Sequence, residues 1–403
     1  MNYFNSYEDS VEWLFSRFAD YQNKGPKAYK PGFDRVNLLL EILQIDAQKI
    51  PAIHIAGTNG KGSTAAYCAS LLKENGYNVG LFTSPHIFDF TERIRVNGVE
   101  ISQSAVLNFC NEVQALKLDF EPSFFELSFA LALIYFQDQK CDYLIIETGL
   151  GGKLDATNIL QPEISIITNI GLDHQQFLGN SLAEIAEQKA GIIKSHVPVI
   201  IGEKHKETQE TFKKTASILN APLVFCDDID IPFDSFQLQG YQIKNYKTAL
   251  IALEKIGFKY NFEKQKKALK NLKRNTGFFG RLELWKEKPR ILIDVSHNLE
   301  GILATLPLVQ EQCTGKLFII YGAAQDKNAE QILALFPEEA HLAACVFSNP
   351  RSKQFLDWKK LGVETIYPKL AIAISQIEKQ MDSTDLLWIT GSFYLISDLP
   401  SKK

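Results

Sequence analysis

Hydrophobic positions along the chain alternate between short continuous runs and longer stretches with helical periodicity. Alternation of this kind is typical of βαβ units, in which helices cover both faces of a parallel sheet. The first part of the chain is therefore predicted to be α/β. Predicted strands cover residues 52–56, 79–83, 143–147, 164–168 and 197–201, and predicted helices cover residues 63–74, 124–137, 182–194 and 206–219.

A second series of the same kind follows the polar, glycine-containing segment Lys273-Arg274-Asn275-Thr276-Gly277. A helical stretch at residues 245–272 leads into this segment, which we interpret as a linker because polar residues and glycine interrupt periodic elements. We expect two α/β domains, residues 1–275 and a smaller doubly wound domain at residues 276–403. Predicted strands of the second domain cover residues 290–294, 316–321, 343–347 and 386–390.

Composition excludes several function classes. The composition is 45% hydrophobic and 22% charged, as is usual for folded proteins. The length of 403 residues is greater than one hydrophobic core usually covers. A net charge of −4 without a basic tract argues against nucleic-acid binding. The six cysteines form no C-x-x-C pair, which predicts reduced thiols without zinc. Because the chain has no membrane-length apolar run and its first residues are acidic, we expect a cytoplasmic protein that binds no membrane, with a monomer as the default.

A glycine-rich turn joins the first predicted strand of the first domain, residues 52–56, to the predicted helix at residues 63–74. Glycines let backbone N–H groups converge on phosphate oxygens, a helix N-terminus adds partial positive charge, and a lysine neutralises phosphates. The spacing differs from the common P-loop, which would need glycine at Ile55. The alternative is a tight turn with a solvated lysine. The turn consists of Gly57, Thr58, Asn59, Gly60, Lys61, Gly62 and Ser63.

Polar side chains also stand where other predicted strands end. Glu147 ends one strand and His174 follows the next, so both are expected at the carboxyl edge of a parallel sheet, where ligands collect. Such groups would suit Mg²⁺, although histidine is an uncommon ligand for this cation. Four charged residues are predicted to share the next helix, and a solvated helix face is the ordinary interpretation of such a group. They are Glu184, Glu187, Lys189 and Lys194.

The second domain repeats the pattern of a strand that ends in an acid. Asp294 ends a predicted strand, and Asn298 precedes a helix that it is expected to cap. Arg281 lies near the predicted linker, where a cation would meet phosphates if the domains close. For Asn298 a purely capping role, and for Arg281 an exposed rim position, are equally acceptable interpretations.

Five ordered motifs together resemble the folylpolyglutamate synthase and dihydrofolate synthase family, a branch of the Mur ligase superfamily. The resemblance spans nearly the whole chain, from Gly25-Pro26 and residues 33–35 to residues 390–395. The family usually has other residues at Lys153, Phe279 and Leu299, but none of these is a phosphate or metal ligand. The motifs are residues 57–63, Thr83-Ser84-Pro85-His86, Glu92-Arg93-Ile94-Arg95, residues 149–158 and residues 171–174.

The resemblance implies a P-loop Mur-ligase-like domain followed by a Rossmann-like domain, with ATP as co-substrate and two Mg²⁺ ions. It implies that Gly57 to Ser63, with Asn245, Arg281 and Asp294, bind ATP. It also implies metal ligands at Ser84, Glu147, His174 and a carbamylated Lys189. Lys61, Lys189 and His297 would be catalytic, with His297 near the incoming L-glutamate. The implied dihydropteroate pocket contains Ser123, Phe124, Phe125, Glu126, Leu154, Asp155 and Ala156.

The implied activity is an ATP-dependent amide ligation of L-glutamate to dihydropteroate, to folates, or to both, through an acyl phosphate. An enzyme with only one of the two synthase activities is the first alternative. A peptidoglycan Mur ligase is a second, although such enzymes normally carry an additional N-terminal domain and only 56 residues precede Gly57 here. A catalytically inactive nucleotide-binding protein is the alternative from a different class.

Overall fold

The computed structural model describes residues 3–17, 31–230, 238–259 and 261–400, and it divides into two compact units. The first unit comprises Met1–Leu238 and Gln242–Phe278, and the second comprises Gln239–Tyr241 and Phe279–Lys403. Gly25-Pro26, quoted above for the family resemblance, lies outside the described residues.

The first unit contains an eight-stranded sheet with the order β4-β3-β2-β5-β1-β6-β7-β8. The six strands from β2 to β8 in that order are parallel, whereas β3 is antiparallel to β2 and β4 is antiparallel to β3. The strands are β1 (Ala52–Ala56), β2 (Val79–Phe82), β3 (Ile94–Val96), β4 (Val99–Glu100), β5 (Tyr143–Glu147), β6 (Ile164–Ile167), β7 (Val199–Ile201) and β8 (Leu223–Phe225).

Helices cover both faces of this sheet. Neighbouring residues of β5 point to opposite faces, so Ile145 packs in one hydrophobic cluster while Leu144 and Ile146 pack in another. Short 3₁₀ helices are Phe90–Arg93, Ala156–Ile159 and Cys226–Asp228. The α-helices are Tyr7–Arg17, Asp34–Ile42, Lys61–Glu74, Gln103–Leu116, Phe124–Asp138, Gln175–Leu178, Leu182–Ala190, Gln209–Ile218, Tyr241–Lys255, Phe262–Lys270 and Leu272–Thr276.

The second unit contains a six-stranded sheet with the order β13-β12-β11-β14-β10-β9, in which only β9 runs antiparallel to its neighbour. Two mostly parallel sheets with helices confirm the predicted α/β class. The strands are β9 (Glu283–Lys286), β10 (Arg290–Ile293), β11 (Leu317–Tyr321), β12 (His341–Cys345), β13 (Ile366–Tyr367) and β14 (Leu386–Thr390). The helices are Leu299–Glu311, Ala329–Leu333, Phe355–Lys360, Leu370–Glu378 and Phe393–Ser397.

The segment predicted to link the two domains is partly helical. Residues 245–272 do not form one helix, and the polar segment after them is the short helix Leu272–Thr276. Asn275 is buried there, and its Nδ2 donates to Ser70 Oγ at 3.0 Å and to Glu74 Oε1 at 2.9 Å. Polar composition therefore marks a buried hydrogen-bonded contact at this point, because a side-chain amide satisfies groups on the neighbouring Lys61–Glu74 helix.

Several predicted element boundaries also need correction. The helix predicted to reach residue 194 ends at Ala190, so Lys194 lies beyond it, with Gly191 at the C-cap. Strands β3, β4, β8, β9 and β13, each of two to four residues, were not predicted. All six cysteines are free, and none of the helices in the described part of the chain could cross a bilayer.

Candidate functional site

The strand order of the first unit brings four candidate segments to one edge of the sheet. Strands β2, β5, β1 and β6 are parallel neighbours, so their carboxyl ends lie side by side. Ser84 follows β2, Glu147 ends β5, Gly57 follows β1, and residues 168–174 follow β6. Segments that are far apart in the sequence therefore meet where ligands collect in open parallel sheets.

The glycine-rich turn is held closely by its neighbours. The Lys61–Glu74 helix begins directly after Gly60, whose φ is 81°. A Cβ on Gly60 would overlap the side-chain amide of Asn245, and one on Gly57 would overlap the Thr168 hydroxyl. Glycine is needed at both positions, because only a missing Cβ allows this approach and backbone shape. A helix N-terminus of this kind favours an anion, and phosphate binding by the turn stays a prediction.

Two lysines meet at the turn. Lys61 Nζ donates to Gly57 O at 3.1 Å and to Thr58 O at 3.3 Å, and Lys189 Nζ donates to Gly57 O at 2.9 Å. The Lys189 side chain is only 3% exposed, so the interpretation of a solvated charged face is wrong for this residue. Burial, and then the charge of Lys61, lower the pKa of Lys189 to about 7.

Glu147 faces the start of the same helix. Its Oε1 lies 4.0 Å from Lys61 Nζ, and its Oε2 accepts a hydrogen bond from the Ser84 backbone N–H at 3.1 Å. Carboxylate and hydroxyl oxygens are the hard donors that Mg²⁺ prefers, and metal binding by Glu147 and Ser84 stays a prediction.

The donor set suits a cation that is only partly held by protein. The described residues contain no cluster of three or more His, Cys, Asp or Glu side chains that could enclose a metal ion. Mg²⁺ usually keeps several waters and binds through one or two carboxylates plus substrate phosphates, so it needs no such cluster. The residues at this edge therefore fit a divalent cation bound together with a nucleotide.

The segment after β6 lies directly against the turn. Gly171 N donates to Thr58 Oγ1 at 3.0 Å, and the Thr58 hydroxyl reaches Gly171 O at 3.2 Å. Asn59 N donates to Asn169 Oδ1 at 2.8 Å, and Thr168 Oγ1 donates to Asn59 O at 2.6 Å. The two loops thus form one hydrogen-bonded surface.

His174 ends this segment in a left-handed backbone conformation, with a φ of 51°. Its backbone N–H donates to Asp173 Oδ1 at 2.8 Å, and its Nε2 lies 3.8 Å from Asp173 Oδ2. The carboxylate of Asp173 also raises the pKa of Lys189, against the larger effects of burial and Lys61. Metal ligation by His174 stays a prediction.

Residues 123–126, predicted to line a dihydropteroate pocket, begin the Phe124–Asp138 helix. Ser123 and Glu126 form a reciprocal capping box, and Glu126 Oε1 lies 3.1 Å from Arg35 Nη2. Phe124 is buried in the core. The guanidinium carbon of Arg93 lies 5.1 Å from the centre of the Phe124 ring. Phe125 packs against Gly149, where an added Cβ would lie 2.7 Å from the ring.

The second predicted pocket segment surrounds Asp155. Its buried carboxylate accepts hydrogen bonds from the backbone N–H groups of Gly149 and Leu150, both at 2.9 Å, and from Thr157. Burial raises the pKa of Asp155, whereas these hydrogen bonds lower it. Leu154 is 39% exposed and Ala156 is buried. Phe125 and Gly149 thereby bring the two predicted pocket segments together.

In the second unit, two of the predicted residues lie beside one aromatic ring. The Arg281 guanidinium lies 5.2 Å from the ring centre of Phe393, and the His297 ring lies 5.8 Å from it. Asp294 is buried and accepts from Leu282 N at 2.8 Å. Burial raises the pKa of Asp294, and the charge of Arg281 lowers it. Sequence reasoning did not single out Phe393, whose only signal was its place in the motif at residues 390–395.

Asn298 has the capping role expected of it. Its Oδ1 accepts from Gly301 N at 2.9 Å at the start of the Leu299–Glu311 helix.

Comparison with known proteins decides the family. The Mur ligase middle domain model matches residues 55–226, and the Mur ligase glutamate ligase domain model matches residues 280–393. A Bacillus subtilis dihydrofolate synthase/folylpolyglutamate synthase is 32% identical over 431 residues, covering 98% of this chain and 99% of the relative. The chain belongs to the folylpolyglutamate synthase/dihydrofolate synthase family of Mur ligases.

Solved structures of relatives have the same fold as this chain over nearly its full length. Escherichia coli FolC in complex with DHPP and ADP has a TM-score of 0.82 and 26% identity, covering 98% of this chain and 96% of that one. A bifunctional folylpolyglutamate synthase/dihydrofolate synthase with Mn, AMPPNP and L-glutamate bound has a TM-score of 0.85 and 25% identity, covering 98% and 97%. The protein is thus an ATP-dependent glutamate ligase, as predicted, and the relatives' complexes support use of a divalent metal ion.

Proposed function

We propose that this ligase joins L-glutamate both to dihydropteroate and to folates. The observation that carries this proposal is the meeting of Lys61, Lys189 and Glu147 at the turn that begins with Gly57. The two segments proposed to bind the pterin, residues 123–126 and 154–156, belong to the same unit. They are linked through Gly149, which contacts Phe125 and donates its N–H to Asp155. In this proposal the first unit binds the phosphates of the nucleotide and the pterin of the acceptor.

The chemistry requires activation of the acceptor. A carboxylate is a poor electrophile, so its oxygen attacks the γ-phosphorus of ATP, giving an acyl phosphate and ADP. The glutamate amine then attacks the acyl carbon, inorganic phosphate leaves, and the amine loses a proton. The N–H groups of the turn bind phosphate oxygens, and Lys61 neutralises charge that develops during phosphoryl transfer.

Ser84, Glu147 and His174 would hold the divalent metal ions, two Mg²⁺ in our proposal. The ions would supply charge neutralisation and orientation of the phosphates. Lys189 would provide a further oxygen ligand after carbamylation, in which its neutral amine attacks CO₂ and releases one proton. The low pKa of Lys189, about 7, supports this step because a protonated amine cannot attack.

The proposal also assigns residues to the nucleotide and to the incoming glutamate. Asn245, beside Gly60, and Arg281 with Asp294 are assigned to the nucleotide, and His297 is assigned to the incoming glutamate. A monomer is the expected form, which sedimentation velocity of the purified protein tests.

The decisive assay measures phosphate release from ATP with each acceptor separately. We expect release that requires both L-glutamate and dihydropteroate, and also release with L-glutamate and a reduced folate. Activity with only one acceptor identifies an enzyme with a single synthase activity. Absence of release with either acceptor contradicts the proposal.

Lys61→Ala is expected to abolish release while the protein keeps its fold, because the helix N-terminus then lacks the cation that faces the phosphates. Lys213→Ala is the matched control, because Lys213 is exposed. Within the described residues, its ion pair is with Glu210, at 2.7 Å. Circular dichroism of both variants checks the fold. Ligase activity of Lys61→Ala equal to that of Lys213→Ala overturns the assignment.

A further inference from the structure

A buried chain of hydrogen bonds runs from the central strand to the predicted acceptor pocket. His54 lies in β1, two residues before Ala56, and its side chain is fully buried. Its Nε2 lies 2.8 Å from Thr157 Oγ1, and Thr157 Oγ1 donates to Asp155 Oδ1 at 2.6 Å. The chain thus links three polar residues that the proposed mechanism leaves without a shared role.

The donors and acceptors of this chain can be assigned. An ionised carboxylate only accepts, so the single hydroxyl hydrogen of Thr157 goes to Asp155. The hydroxyl must then accept from His54, which places the imidazole proton on Nε2. Nδ1 of His54 has no hydrogen-bond partner among the described residues, as expected for a nitrogen without a proton. Burial, and then the charge of Lys194, lower the pKa of His54 to about 3, so the ring stays neutral.

At the other end of this series of hydrogen bonds, both oxygens of the Asp155 carboxylate accept hydrogen bonds. Oδ1 accepts from the N–H and the hydroxyl of Thr157, and Oδ2 accepts from Gly149 N and Leu150 N. A carboxylate has about four lone-pair positions, and all are occupied here. These four donors fix the orientation of the carboxylate. Asp155 in turn holds the backbone of Gly149 and Leu150 in place.

That backbone leads from Glu147 into the predicted pocket. Gly149 is two residues beyond Glu147, and it contacts Phe125 in the Phe124–Asp138 helix so closely that a Cβ would lie 2.7 Å from the ring. A shift of the turn at Gly149 and Leu150 would therefore move the surface next to Phe125. The turn is held from the inside by Asp155, and Asp155 is held by Thr157.

We propose that His54 and Thr157 are positioning residues that hold the Gly149–Leu150 turn, through Asp155, in the shape that binds the pterin-bearing acceptor. This inference rests on the proposed function and adds to it two residues that touch no substrate. The nucleotide turn has separate supports in Gly171, Asn169 and Thr168. Loss of the hydrogen bonds that join His54, Thr157 and Asp155 should therefore weaken binding of the acceptor, with little effect on binding of ATP.

The test compares Thr157→Val with Thr157→Ser in the phosphate-release assay, using the acceptor on which the wild type is active. Valine keeps the shape of threonine and removes the hydroxyl, whereas serine keeps the hydroxyl. Thr157→Val should raise KM for the acceptor about tenfold, as expected when a buried charged acceptor loses a donor. KM for ATP should change by less than about twofold, and Thr157→Ser should restore the wild-type KM for the acceptor.

His54→Phe supplies a second variant that also serves if Thr157→Val does not fold. It should raise the same KM, and the double variant should be no worse than Thr157→Val alone, because both changes interrupt one chain. Equal changes in both KM values, unchanged KM values, failed rescue by serine or simple additivity overturn the inference. A wild type that is inactive with every acceptor refutes the proposed function, whereas an active wild type with an unaffected Thr157→Val refutes only this inference.

Discussion

The depressed pKa of Lys189 gives a quantitative prediction about CO₂. An ordinary lysine, with a pKa near 10.5, is about 0.3% neutral at pH 8, whereas a pKa of about 7 makes Lys189 about 90% neutral. The supply of free amine is therefore about 300-fold larger than at a solvent-exposed lysine. At pH 8 in bicarbonate, Lys189 should carry a carbamate while exposed lysines remain almost entirely unmodified.

Carbon-13 NMR of the protein in ¹³C-bicarbonate measures this directly. We expect one strong carbamate resonance at pH 8 that is absent from Lys189→Met and retained in Lys153→Met, whose side chain is 52% exposed. The sign of the pH dependence follows from the lowered pKa: as pH falls through about 7, the amine binds a proton and the carbamate signal declines. Ligase activity should fall in CO₂-depleted buffer and return with bicarbonate.

Two outcomes would refute this reasoning. A carbamate resonance that persists in Lys189→Met would place the modification elsewhere. A wild-type protein that is fully active without CO₂ and shows no resonance would mean that Lys189 acts as a bare amine, with its hydrogen bond to Gly57 O as its function.

The structure supports two further predictions. Gly60→Ala should raise KM for ATP at least about tenfold, because its Cβ would overlap Asn245 and its φ of 81° disfavours other residues; Gly76→Ala, at a φ of 97° with no atom within 4 Å of the added Cβ, is the control and should leave this KM unchanged. Asn275→Ala should lower the free energy of unfolding by about 1–3 kcal/mol, because Ser70 and Glu74 lose its donors, and urea unfolding measures this. A KM for ATP in Gly60→Ala that matches Gly76→Ala, or an unchanged urea midpoint for Asn275→Ala, would contradict the respective argument.

Local features of the site could be read from the sequence because their causes are local. The glycine-rich turn needs a left-handed residue at Gly60, and Asn298 caps the helix that begins one residue later. Strand and helix alternation likewise predicted the α/β class, whereas the metal and pterin positions implied by the family resemblance stay predictions. Lys189 shows the limit, because helical periodicity placed it on a charged face whereas the tertiary structure buries it against Gly57.

The sequence by itself thus determined the type of each main element, the position of the glycine-rich turn and the resemblance to a ligase family. Only the tertiary structure decided which segments meet. Strand order makes β2 and β5 neighbours and so brings Ser84 to Glu147, 63 residues away, and side-chain packing joins His54 to Thr157 across 103 residues. Periodicity reports how one segment meets a core or solvent, whereas strand pairing and buried hydrogen bonds depend on distant partners that no local pattern specifies.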